Sequence, residues 1–257
     1  MIQTKIIDHA ATVILNRPDR GNAVTRELIS ELSTVIEDLY YEKRVRAIIL
    51  TGAGDTFCRG ADVEEMHRVQ SDPNAAETWG AEATELCDLL VRMLEITKPI
   101  IAAVNGPALG VGAALVAAAD LVIAGHGASI GLPDVRHGLV AGLAAPLINF
   151  RIGAGHAARM MLAANPLDAS EALRLGLFHE LVADDKVWAR AMQVAGDCAA
   201  GAPEAMQLAK RLLNETVGDR LATQLAAAAA LTATARTTEA AAEGINALRA
   251  GRPPQWK

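Results

Sequence analysis

The stretch from Lys98 to Ala124, KPIIAAVNGPALGVGAALVAAADLVIA, limits what this chain can fold into more than any other. Ile100 to Val104 is a continuous apolar run bounded by turn residues, the pattern of a strand covered on both faces. Asn105-Gly106-Pro107 then turns the chain. A helix of small residues opens at Gly110 and runs through Ala118, and a second apolar run follows, Leu121 to Ala124. Gly110 and Gly112 sit where that helix should start. Glycine there allows a ligand to approach the backbone, and the first helical turn offers unpaired N–H groups. With the helix dipole behind them, such donors suit a developing negative oxygen. A buried helix that needs small residues for close packing fits the same letters.

The 257 residues allow one large domain or two modest ones with a sizeable core. Hydrophobic residues make up 51% and aromatics only 3%, so that core must be aliphatic and rich in alanine. A net charge of -6 disfavours nucleic acid or an anionic membrane as the main partner. No apolar stretch is long enough to span a bilayer without a charge or a turn, and the first twenty residues read as no targeting segment. Cys58, Cys87 and Cys198 show neither metal spacing nor a disulfide framework, so no metal is expected and a cytoplasmic setting is the simplest.

Read in order, Ala11 to Leu15 is a strand ended by Asn16-Arg17-Pro18-Asp19. Thr25 caps a helix in which Leu28, Leu32, Val35 and Leu39 recur at helical spacing. Arg46 to Thr51 is the next strand. Gly52 to Asp55 turns the chain, and the loop Phe57 to Asp62 leads into a helix near Val63. Ser71 to Asn74 is a polar loop, and Ala75 to Ile96 a long helix. After the central stretch come a short strand at Ser129-Ile130 and the loop Leu132 to Gly142. Helices follow over Leu143 to Ile152, Ala157 to Ala163 and Ala169 to Leu175, then a strand over Phe178 to Val182. Beyond Asp185 the pattern is helical, with breaks expected at Gly201 to Pro203, at Gly218 and near Arg236 to Thr238. Strands alternating with helices argue a layered α/β core. The helical tail either folds back on that core or buries itself in a neighbouring subunit.

Two loops, Gly60-Ala61-Asp62 and Leu109-Gly110-Val111-Gly112, each follow an apolar strand and precede a helix. The ends of neighbouring strands can bring such loops together, and two N–H groups aimed at one oxygen make an oxyanion hole. They can equally be two ordinary connections. Asp134, just after Pro133, suits either a general base or a turn cap. His137 and His67 touch the pocket or pack elsewhere. Arg59 neighbours an anion or faces solvent. Cys58 has no histidine partner beside it and reads as structural.

An ordered set of segments resembles the enoyl-CoA hydratase/isomerase family, also called the crotonase family. These are Asn16-Arg17-Pro18 with Asn22-Ala23, Thr51-Gly52, Phe57 to Asp62, Lys98-Pro99 through Gly112, Asp120, Leu132-Pro133-Asp134, Gly138-Leu139, Gly142, Asp168 to Ala172, Gly176-Leu177 and Glu243-Gly244. The resemblance implies an α/β spiral of repeated β-β-α turns over residues 1–200 and a helical C-terminal trimerisation region over residues 201–257. It implies an acyl-CoA thioester as substrate, with coenzyme A as part of that substrate and no separate cofactor. It also implies self-association as a trimer or a dimer of trimers. By position, Ala61 and Val111 would supply the oxyanion N–H groups and Asp134 the acid/base. Arg20, Ala23, Gly60, Asp62, Gly110 and Gly142 would line the substrate and CoA groove.

Departures from the family pattern bear on the reaction. Hydratases of the family usually carry two glutamates, one where this chain has Ala114 and one where it has Asp134. Alanine can neither hold nor deprotonate a water. Moving a double bond needs only one base, so the residues lean toward isomerisation, with hydration still in view. Thioester hydrolysis, carbon–halogen cleavage and a catalytically silent acyl-CoA-binding relative are the alternatives. Valine at 111 keeps its N–H but narrows the pocket relative to the family's usual glycine, and Ala144-Ala145 replaces a Gly-Gly pair.

Overall fold

The computed structural model describes residues 1–256, and for residues 215–220 the course of the backbone only. Strands β1 (Ile2–Ile7), β2 (Ala10–Leu15), β3 (Ala47–Gly52), β4 (Ile100–Val104), β6 (Leu121–Gly125) and β9 (Glu180–Val182) lie side by side in that order in one six-stranded sheet. Only β1 runs antiparallel to its neighbour, β2; the remaining pairs are parallel. A second sheet of three strands orders β5 (Pro107–Leu109), β7 (Ser129–Gly131) and β8 (Leu167–Asp168). Isolated bridges Cys58 to Ala108 and Val24 to Ala61 carry this second layer toward the N-terminal turns. The turns that start at β2, β3, β4 and β6 therefore each place one strand in the large sheet, one strand or bridge in the small one, and then a helix. That is the expected spiral of β-β-α turns.

Period-two patterning explains why the central strands read as unbroken apolar runs. Ile48, Leu50, Ile100, Ala102 and Val104 face the main core. Their alternates Ala47, Ile49, Ile101 and Ala103 face the opposite side, where α8 (Val187–Ala200) covers them with Val187, Ala191 and Ala195. The main core is closed by α1 (Arg26–Tyr41), α3 (Ala75–Glu95) and α4 (Val111–Ala118), through residues such as Leu28, Leu32, Leu89, Leu90 and Leu115. Thr25 caps α1 by accepting from the Leu28 N–H at 3.2 Å, as its position suggested. The sequence reading missed β1, whose residues are mostly exposed and carry no buried face to signal it. It also read Pro107 as part of a turn, whereas Pro107–Leu109 pairs with Ser129–Gly131.

Several residues behind the resemblance prove to be turn pins. Asn22 is buried and holds a left-handed φ of 53°. Its Nδ2 donates to the carbonyls of Ala53 at 2.9 Å and Thr56 at 2.7 Å. Asn105 Nδ2 donates to the carbonyls of Gly52 and Gly54, both at 2.9 Å. Lys98 Nζ caps the end of α1 at the carbonyls of Leu39 and Glu42. Asp120 accepts from the Ile100 N–H at 2.7 Å and from Lys210 Nζ at 2.6 Å, joining the start of β4 to the C-terminal helices.

After β7 the chain makes a 3-10 turn over Asp134–His137 and then α5 (Ala144–Ile152), α6 (Ala154–Ala158), which widens into a π turn through Ala163, and α7 (Ala169–Leu175). The tail consists of α9 (Pro203–Arg236) and α10 (Glu239–Arg249). The break expected at Gly218 falls where only the helix course is described, and there α9 continues. The tail folds back on its own chain: α9 packs along α3 and α5, and α10 packs on α2 (Val63–Gln70) and on the 134–137 turn. No helix among the described residues is long and apolar enough to cross a membrane.

Candidate active site

Two glycines set the geometry of the site. Gly60 has φ of 100° and Gly110 φ of 53° with ψ of -114°, conformations that side chains rarely tolerate. Between them the two loops approach so closely that a Cβ at Gly110 would lie 3.8 Å from the Gly60 Cα. The same Cβ would lie 3.5 Å from Oδ1 and 3.6 Å from Oδ2 of Asp134, so the carboxyl group stands directly over the start of α4. Gly112 answers a different need. A Cβ there would fall 2.3 Å from the Cys58 carbonyl, so this glycine seats α4 against the small sheet and leaves no approach for a ligand.

A cavity of about 490 Å³ opens where the loops meet. Ala61, Val111 and Asp134 line it, and so do Arg20, Ala23, Gly60, Asp62, Gly110 and Gly142, so the nine residues that the resemblance assigns to the site border one space. The N–H groups of Ala61 and Val111 make no hydrogen bond among the described residues, whereas the flanking N–H groups of Gly60, Asp62 and Gly110 are all taken. Val111 is the first residue of α4, so its N–H is one of the donors a helix start leaves unpaired.

Asp134 opens the 3-10 turn, and its Oδ2 is sealed from solvent without a hydrogen-bond partner. Burial raises its pKa above the usual carboxylate range; its own backbone N–H and the Arg236 guanidinium act in the opposite direction and do not cancel it. His137, at the other end of the turn, also lines the cavity, and its Nδ1 is buried without a partner. Burial, and then the Arg136 charge, lower its pKa and favour the neutral imidazole. Ala114 is 1% exposed and borders the cavity with a methyl group.

The other expected residues divide by what their side chains already do. Burial works to raise the Asp62 pKa, but the N–H bonds from Glu65 and Glu64 and the Arg17 guanidinium outweigh it and hold the carboxyl below its usual range. Its carboxylate caps α2 and binds Arg17 Nη2 at 2.8 Å, so its side chain is committed to the fold. Arg20 and Arg59 are exposed at the mouth. Cys58 is buried, and burial pushes its thiol up to about 12, which suits an inert packing residue. His67 lies off the cavity lining and meets Arg249 Nη1 at 3.2 Å. No cluster of three or more potential metal ligands occurs among the described residues.

The sequence reading missed the contribution of the tail. Thr232 and Arg236 of α9, one helical turn apart, and Leu248 and Arg249 of α10 complete the cavity wall. The i, i+4 spacing of Thr232 and Arg236 was visible, but nothing in it marks that face as pointing into a site formed some hundred residues earlier.

A family model described as enoyl-CoA hydratase/isomerase matches residues 7–257. A putative enoyl-CoA hydratase of Thermus thermophilus is 35% identical over 248 residues, 96% of this chain and 97% of the relative. The 2,3-dehydroadipyl-CoA hydratase of Escherichia coli is 32% identical over 244 residues, 95% of this chain and 93% of that one. The crystal structure of an enoyl-CoA hydratase/isomerase from Pseudoalteromonas atlantica T6c superposes with a TM-score of 0.86 at 28% identity, covering 100% of this chain and 99% of the other.

Proposed function

This chain belongs to the enoyl-CoA hydratase/isomerase family, the crotonase family, and from that premise we propose that it moves the double bond of an enoyl-CoA with Asp134 as its one acid/base. An acyl-CoA enzyme of this family needs somewhere for thioester enolate charge to go. In this reading the thioester oxygen accepts from the N–H groups of Ala61 and Val111. Main-chain donors fixed before the reaction starts lose nothing to reorganisation as that charge develops. Asp134 takes the proton from the carbon next to the carbonyl, the electron pair moves into the conjugated enolate, and the same carboxyl returns the proton two carbons further along. No atom is gained or lost, so no water need be held. Arg20 and Arg59 at the mouth would meet the anionic CoA arm, beside Ala23, Gly60, Gly110 and Gly142.

The observation that carries this reading is the grouping of two unbonded main-chain donors and one sealed, unbonded carboxylate oxygen around one cavity, where Ala114 offers only a methyl group. Hydration is the second reading, favoured by the hydratase names of the relatives, and it would require Asp134 to handle water alone. One experiment separates the readings. A β,γ-unsaturated acyl-CoA should gain the conjugated thioester absorbance when mixed with the protein, while crotonyl-CoA keeps its own. Loss of the crotonyl-CoA absorbance would favour hydration, and released CoA thiol would favour thioester hydrolysis. Failure to convert any thioester would leave an acyl-CoA-binding protein.

We further propose that residues 201–257 form a self-association region, as a trimer or a dimer of trimers. Leu208 and Leu212 of α9, one helical turn apart, are more than half exposed on the single chain.

A further inference from the structure

The cavity holds a guanidinium that the proposed chemistry does not use. Arg236 is only 8% exposed, and its Nη1 donates to Glu82 Oε1 at 2.8 Å. Glu82 belongs to α3, is itself buried and stays outside the cavity lining, so it grips Arg236 from behind. The guanidinium makes no other hydrogen bond among the described residues, which leaves its remaining N–H groups to the cavity that it lines. His137 borders the same cavity, with its Nδ1 sealed from solvent and unpartnered. A hydrocarbon acyl tail filling this space would expel water from the free N–H groups of Arg236 and give them nothing in return.

We infer that the acyl group of the substrate carries an oxygen acceptor, a carbonyl or a carboxylate, beyond its reacting carbons, and that Arg236 binds it. This rests on the acyl-CoA reading of the same site. Arginine suits the task because its planar fork presents several donors in a fixed geometry. Glu82 already pairs with the guanidinium, so recognition depends on directed hydrogen bonds more than on net attraction. A neutral ketone therefore belongs to the same class as a carboxylate.

Calorimetric titration with saturated, unreactive thioesters tests this without requiring turnover. Butyryl-, hexanoyl- and octanoyl-CoA would be compared with succinyl-, adipoyl- and suberoyl-CoA and with the matching keto-acyl chains. At one length or more, an acceptor-bearing chain should bind on the order of tenfold to a hundredfold more tightly than its methyl-ended counterpart. In the Glu82→Gln/Arg236→Met double variant, which removes both buried charges together, that ratio should fall close to one. Should the double variant fail to fold, Arg236→Lys keeps the ion pair and loses the fork, and it should still cut the ratio several-fold. The inference fails if the wild-type ratio is one or less at every length, or if the ratio survives these substitutions. It also fails if all chains weaken equally, because Arg236 would then act through Asp134 or the fold. Tight, selective binding without turnover of any enoyl-CoA would sink the isomerase reading and leave this one standing.

Discussion

Asp134 combines burial, a raised pKa and an oxygen with no partner, and each follows from its place over the start of α4. A carboxylate held this way is costly to the fold and useful as a base, because its proton affinity moves toward neutral pH. Asp134→Asn should lower turnover on the order of a hundredfold or more while acyl-CoA affinity holds. The acid limb of kcat/KM for the wild type should lie above the ordinary carboxylate range. Stability carries the matching sign. With a folded-state pKa above the unfolded one, the group's contribution is fully present below the unfolded value and lost as pH rises through the folded value. At neutral pH, urea unfolding should therefore find Asp134→Asn more stable than the wild type, with the gap closing in acid. Equal stabilities at neutral pH would mean that the carboxylate is better solvated than its burial implies.

At the scale of elements, the site depends on how α4 and α10 seat their neighbours. Gly112→Ala would put a methyl group 2.3 Å from the Cys58 carbonyl, a backbone atom that cannot swing aside. Helix and loop must part, and thermal melting should report a loss of about 1–3 kcal/mol. A melt matching the wild type would remove the close approach from the argument. Gly244 of α10 does a related job farther out: a Cβ there would meet the His137 carbonyl at 1.8 Å. Gly244→Ala should push α10 off the turn that carries Asp134 and His137. Turnover should fall by roughly a hundredfold, because small displacements of a reacting group are expensive. The main core lies elsewhere, so the melting temperature should drop less than for Gly112→Ala; a large collapse with unchanged turnover per folded molecule would refute this division of labour.

Over the whole molecule, the tail is both wall and outer surface. One side of α9 buries Leu221, Leu225, Ala228 and Ala229 in the main core, ties Lys210 to Asp120, and brings Thr232 and Arg236 to the cavity. The side bearing Leu208 and Leu212, 63% and 65% exposed, has no such cover. Sedimentation should find the wild type as a trimer or hexamer and a Leu208→Asp/Leu212→Asp variant shifted to smaller, folded species. A wild type that sediments as a monomer, or a variant that assembles normally, would detach self-association from this face.

Local sequence was enough for the alternation of strands and helices, the doubly covered strands β3 and β4, the two loop-to-helix connections that hold Ala61 and Val111, and the position of Asp134 after Pro133. Each is written in local letters: period-two apolar runs, glycines where φ must be positive, and an ordered set of short motifs. Other features it left undecided or misread. Gly112 resembled a ligand-facing glycine until the Cys58 carbonyl was found beneath it. Pro107 resembled the end of a turn because the strand that pairs with Pro107–Leu109 lies about twenty residues away. The Arg236–Glu82 pair joins positions 154 apart in the chain, and no local pattern encodes such a meeting. Tertiary structure alone decided which polar atoms lost water without gaining a partner, because desolvation is set by everything packed around a group and not by the residues beside it in the chain.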